Sequence, residues 1–185
     1  MTDTSPASTS TATPVNVNAI GFLTVMNDGS GALGGYLVTN TWGRPLEFRL
    51  SSAVQPNRVQ QILYGPTLTE YLHADLIGKT LVEKTSTLPG LIITDSLPAL
   101  ALHDRLRIPT LALGPIPGGA SDLVEFRHSR ATAPLVMLAK LVGERPLIDE
   151  RLERVDPAVD LAEPFARIRE AITEARKMGV ANRAA

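Results

Sequence analysis

The sequence predicts an α/β fold: a mixed five-stranded sheet, with an antiparallel three-strand meander followed by α-β-α-β and then C-terminal helices. Three observations predict it. Residues 46–51, LEFRLS, alternate apolar and polar side chains with period two, as a strand with one wet face does. The segments LIITD (91–95) and IPTLAL (108–113) are short continuous apolar runs, the pattern of strands buried on both faces. The stretches around them space their apolar residues as helices do.

Taken in order, residues 1–14 are rich in Ser, Thr, Pro and Ala. Such a stretch buries too little apolar surface to offset the entropy of ordering, and is expected to be a disordered tail. The α/β domain is expected over residues 15–150. AIGFLTVMN (19–27) reads as the first strand, DGSG as a hairpin turn and ALGGYLVTN (32–40) as the second strand. Gly34-Gly35 inside that strand marks a bulge or a close approach of another backbone. TWGRP turns the chain into the third strand.

Pro56 ends the meander. Asn57 and Gln60 have capping-box spacing ahead of a short helix, and Gly65-Pro66 breaks it. Thr67 and Glu70 repeat the spacing before a longer helix, with Leu68, Tyr71, Leu72, Leu76 and Leu81 roughly along one side. LIITD follows as a strand, SLPALALHDRL as a helix with Pro98 in its first turn, and IPTLAL as the fifth strand. GPIPGGAS (114–121) is a loop. Beyond Ser121 the pattern looks helical, although DLVEF also suits an edge strand. Residues 151–185 are expected to hold an amphipathic helix, with Val159, Leu161, Phe165, Ile168, Ile172 and Ala175 on its apolar stripe.

Composition narrows the function. In 185 residues there are 18 Lys and Arg against 19 Asp and Glu, a net charge of −1. That balance provides no global basic field for nucleic acid. With no cysteine, thiol chemistry and cysteine metal sites are excluded. His73, His103 and His128 are far apart in sequence and form no zinc-binding pair. The N-terminal stretch lacks the charged and apolar regions of a signal peptide, and no run has the length of a membrane span. The expectation is a cytoplasmic protein with no membrane partner. There is no P-loop and no GxSxG elbow. GSGALGG lies between strands and opens no helix, so it fails as a dinucleotide fingerprint.

The order of elements resembles the ribonuclease H-like fold, and three motifs add to the likeness. NDGSGALGGY (27–36) is similar to the family's first hairpin. PNRVQQ (56–61) is similar to the start of its first helix, and IITDS (92–96) to the end of its fourth strand. The likeness covers roughly residues 19–113. It implies a two-metal phosphodiesterase site, in which Mg²⁺ or Mn²⁺ is held by convergent carboxylates. Asp28 and Asp95 would be ligands on neighbouring strands. The third carboxylate of the pattern falls on Gln60, a neutral amide, so Glu70, Asp75 or Glu83 would have to substitute. A fourth would be Asp149, Asp156 or Asp160.

The same residues have plainer roles. Asp28 precedes Gly29 in a turn, where Asp is favoured for its backbone bonds. Asp95-Ser96 is placed to cap a helix. A second candidate surface is dense in Trp, Tyr and Arg: Trp42, Arg44, Arg49, Arg58, Tyr64 and Tyr71. Such residues dominate interface hot spots. This stretch also resembles a family of uncharacterised bacterial proteins, which implies no activity. The leading expectation is a non-catalytic interaction or assembly module, with a protein partner or self-association and no cofactor. The alternative is a metal-dependent nuclease, and a third is an anion-binding regulator using loop 114–121.

Overall fold

In the computed structural model, β1 (Val15–Asp28) turns back into β2 (Gly31–Asn40), and β2 into β3 (Pro45–Leu50). The structure describes residues 14–118 and 120–181. The tail expected over residues 1–14 lies outside them, apart from Pro14, as does Gly119 of the proposed anion loop. Helix α1 (Arg58–Tyr64) and helix α2 (residues 68–83) lead to β4 (Leu88–Thr94). Helix α3 (residues 97–106) leads to β5 (Thr110–Leu113). Then come β6 (Leu123–Phe126), β7 (Leu135–Leu138), α4 (Arg145–Glu153) and α5 (Glu163–Ala181).

The sheet has seven strands, not five, in the order β3-β2-β1-β4-β5-β7-β6. β1, β2 and β3 are antiparallel neighbours, and β4 and β5 run parallel to β1. β7 and β6 extend the sheet as an antiparallel pair beyond β5. They occupy the stretch that looked helical. The two strands, LVEF and LVML, are four residues long, too short for periodicity to separate strand from helix.

Two apolar layers enclose the sheet. On one face Phe22, Leu37 and Ile93 pack with Ile148 and Leu152 of α4 and with Phe165, Ile168 and Ile172 of α5. On the other, Leu23, Tyr36 and Ile92 pack with Ile77, Leu81 and Val82 of α2 and Leu102 of α3. The C-terminal helix therefore packs on its own chain. Phe165 meets Phe22 edge-on, with ring centroids 5.8 Å apart. Its Pro164 sits in the first helical turn, where no N–H is lost.

Gly34 and Gly35 mark close approaches on both faces. A Cβ on Gly34 would run into the Ile77 side chain of α2, and one on Gly35 into Ile168 of α5. The middle of α2, Tyr71–Gly78, is a π-helix. Its wider turns displace the expected stripe: Ile77 is buried and Leu76 is 37% exposed. Thr67 does not cap this helix. Its hydroxyl donates to the Tyr64 carbonyl instead. The capping box at Asn57 and Gln60 is formed.

Overpacking follows from the two glycines. Gly35→Ala should cost about 1–3 kcal/mol. Ile168→Ala, which empties the same contact from the helix side, should cost about 2–5 kcal/mol. Urea unfolding midpoints check both, and an unchanged midpoint for Ile168→Ala would mean that α5 does not hold this face.

Candidate functional site

Asp95 follows directly on β4, whose Thr94 is in register with Leu23 of β1. This places Asp95 beside Thr24, and the Thr24 hydroxyl donates to its Oδ2 at 2.8 Å. Arg169 of α5 forms an ion pair with the same oxygen. Asp95 is thus neither a free ligand nor a helix cap. Ser96 holds the cap position before α3 and makes no side-chain cap bond. Oδ1 of Asp95 is buried without a protein partner among the described residues. Burial pushes the Asp95 carboxyl above the usual range, against the Thr24 bond and the Arg169 charge that lower it.

Asp28 ends β1 in the hairpin turn. Its Oδ1 accepts from the Ser30 N–H at 2.7 Å and from the Ser30 hydroxyl at 2.6 Å. Arg176 of α5 pairs with its Oδ2 and also donates to the Ser30 hydroxyl at 2.7 Å. The Arg176 and Ser30 bonds hold this carboxyl well below the usual range.

The two carboxylates share the α5 face but do not converge. Asp28 lies four residue steps beyond Thr24, or about 13 Å along the strand. Arg169 and Arg176 match that spacing: seven helical residues rise about 10.5 Å. Two metals bridged by shared carboxylates sit about 4 Å apart, so this separation does not suit them. Glu70 and Asp75 do not supply the missing ligand. They lie on the opposite side of the sheet with α2, and both bond Arg105 of α3, Asp75 at 2.8 Å and Glu70 at 3.3 Å. Gln60 closes the capping box at the start of α1. Among the described residues, no group of three or more His, Asp and Glu is gathered in a way that could hold a metal ion. The residues present do not fit a two-metal centre.

The Trp, Tyr and Arg residues fall into separate groups. Trp42, 66% exposed, and Arg44 sit in the turn after β2. Val54, four residues before Arg58 of α1, bridges to Ala32 at the other end of β2, roughly 26 Å along the strand from Asn40. Tyr64 and Tyr71 stack on each other with centroids 4.4 Å apart. Arg49 lies on β3 and bonds Glu47. In place of one continuous patch, α1 presents Val59, Ile62 and Leu63 to solvent and buries none of its residues.

The partners of three side chains were hidden in the sequence. Arg169 and Arg176 read as the wet side of an amphipathic helix, because their partners lie 74 and 148 residues away. His73 is the third. The π-helix turns it inward, and its Nδ1 lies 2.7 Å from the Ser96 hydroxyl. A Ser–His pair at the end of a parallel strand has the geometry of an activated nucleophile. Here both members are buried, at 8% and 6% exposure, so the pair ties α2 to β4. His128 lies 3.3 Å from Glu153 of α4, and Arg145 covers the Phe126 ring at 3.8 Å.

No protein-family model and no curated protein matches this chain. No helix of the described residues is long and apolar enough to cross a membrane.

Burial lowers the His73 pKa from its ordinary 6.5. As pH falls through 6.5, unfolded His73 takes up a proton and folded His73 does not. The unfolded state then binds more protons, and stability is lost towards the lower folded pKa. Urea midpoints at about pH 7.5 and about pH 5 should therefore fall for the wild type. His73→Gln, which keeps a polar partner for Ser96, should flatten that fall; an undiminished fall would place the titration elsewhere.

Proposed function

We propose that this chain is a non-catalytic interaction or assembly module of the cytoplasm, built on a ribonuclease H-like scaffold. The strand order β3-β2-β1-β4-β5, with β1–β3 antiparallel and β4 and β5 parallel to β1, supports the scaffold. The strongest support for the non-catalytic half is the pairing of Asp95 with Arg169 and of Asp28 with Arg176. A nuclease of this design needs anionic ligands facing the metals. Here the last helix brings two guanidinium groups to the same carboxylates, so a cation would have to displace a fixed positive charge. The exposed apolar side of α1 and Trp42 are surfaces that a protein partner could cover.

The competing reading, a metal-dependent phosphodiesterase acting on nucleic acid, is favoured by one observation: the unpartnered Oδ1 of Asp95. Calorimetric titration of Mn²⁺ into the wild type and Asp95→Asn separates the two. The module predicts no saturable heat in either protein and no phosphodiester cleavage with Mn²⁺ or Mg²⁺. Saturable binding that Asp95→Asn abolishes would favour the enzyme.

A further inference from the structure

We propose that β3 is the contact through which two copies of this chain pair, edge to edge and antiparallel, about a two-fold axis at Phe48. The proposal rests on the interaction-module reading and names its partner as a second copy.

The backbone is arranged for it. Among the described residues, β3 ends the sheet and pairs only with β2. The Ser51 N–H donates to the Gly34 carbonyl at 2.9 Å. Backbone groups alternate in direction along a strand, so Arg49 and Glu47 also face β2, while Phe48 and Leu50 turn their N–H and C=O outward. A two-fold axis at Phe48 therefore makes a reciprocal hydrogen-bonded pair between the two Phe48 residues.

The side chains set the register. In that pairing Glu47 faces Arg49 of the second copy. Glu47 and Arg49 lie on one side of the sheet and Phe48 and Leu50 on the other, so like meets like in polarity and opposite meets opposite in charge. Moving one strand by two residues either way sets Glu47 against Glu47, or Arg49 against Arg49. Each of those registers is repulsive. The opposite edge, β6, has no such pattern: its only charge, Glu125, accepts from the Ile116 N–H.

Burial on β3 runs opposite to its polarity. Leu46 and Phe48 are 49% and 39% exposed. The Glu47 side chain is only 14% exposed, held by Arg49 and by the N–H of Ser86 at 2.9 Å. Beside Phe48, a groove of about 280 Å³ lined by Leu37, Pro45, Ile168 and Ala171 stays open between the strand and α5. A second strand would cover this apolar rim. Pro45 and the register shift near Leu46 close off one end, which limits pairing to this short central stretch rather than an open-ended ribbon.

Sedimentation velocity across the micromolar range tests the pairing. The wild type should reach twice the 19.8 kDa of one chain. Arg49→Glu, which turns both cross-strand ion pairs into repulsions, should raise the dimer dissociation constant at least about tenfold. Phe48→Pro removes an outward N–H that β2 does not use and should give a monomer with unchanged circular dichroism. A monomeric wild type, or a dimer that both variants leave intact, would overturn the proposal. Neither result bears on the non-catalytic reading, which is decided separately by Mn²⁺ calorimetry.

Discussion

The seating of α5 against β1 and β2 is the contact on which the rest of the arrangement depends. It needs Gly35 to lack a Cβ, because Ile168 and Ile172 fill that space. It needs the Phe22 and Phe165 rings to meet at a steep angle, edge against face. With those contacts made, the helix can be neither rotated nor slid without opening the core. Arg169 and Arg176, two turns apart, then come down on Asp95 and Asp28. Arg167 reaches the Gly43 carbonyl at 3.0 Å and holds the β2–β3 turn. The apolar stripe fixes the helix, and the helix fixes the charges.

Two aspartates of the same kind end in opposite electrostatic states as a result. Asp95 is drawn in at the C-terminal end of β4, where desolvation outweighs its favourable partners and raises its pKa. Asp28 stays at the hairpin tip, where Arg176 and Ser30 lower it. A pair of catalytic carboxylates also differs in pKa, but with both groups facing one reacting bond or one shared proton. Here the difference has another origin, since each carboxylate answers to its own arginine about 13 Å from the other. Divergence in pKa alone would point to catalysis; the geometry behind it points away.

The parts of this fold that were legible in the sequence depend on neighbours close in the chain. The hairpin at Asp28, the capping box at Asn57 and Gln60, the strands around Ile92 and Leu111, and the stripe through Phe165 and Ile172 are of that kind. Gly34-Gly35 was legible as a place where two side chains are left out, but what comes close there is the side chains of Ile77 and Ile168, and neither a bulge nor another backbone. What was hidden depends on distance or on an irregular turn. LVEF and LVML carry no period long enough to separate strand from helix. The π-helix at Tyr71–Gly78 exchanges Leu76 for Ile77 in the core and turns His73 to Ser96. No local pattern announces a turn of that width. The arginine partners of Asp28 and Asp95 could be found only after α5 had been placed.

β3 shows why period two is not enough by itself. Alternation tells which side chains share a face, and on β3 it does so correctly. It does not tell how far the covering layer extends. α5 ends its cover at Ile168 and Ala171, leaving Phe48 at the rim, while the loop at Ser86 and Thr87 reaches over the other side and takes in Glu47. The apolar face of the strand is thus the more open one and the charged face the better held. An edge of that kind offers a second strand both apolar surface and unpaired backbone groups. A second β3 would take up both, and its charges favour one register. The same sheet pairs the carboxylates at the ends of β1 and β4 with arginines and leaves its β3 edge open, which is where the proposed pairing sits.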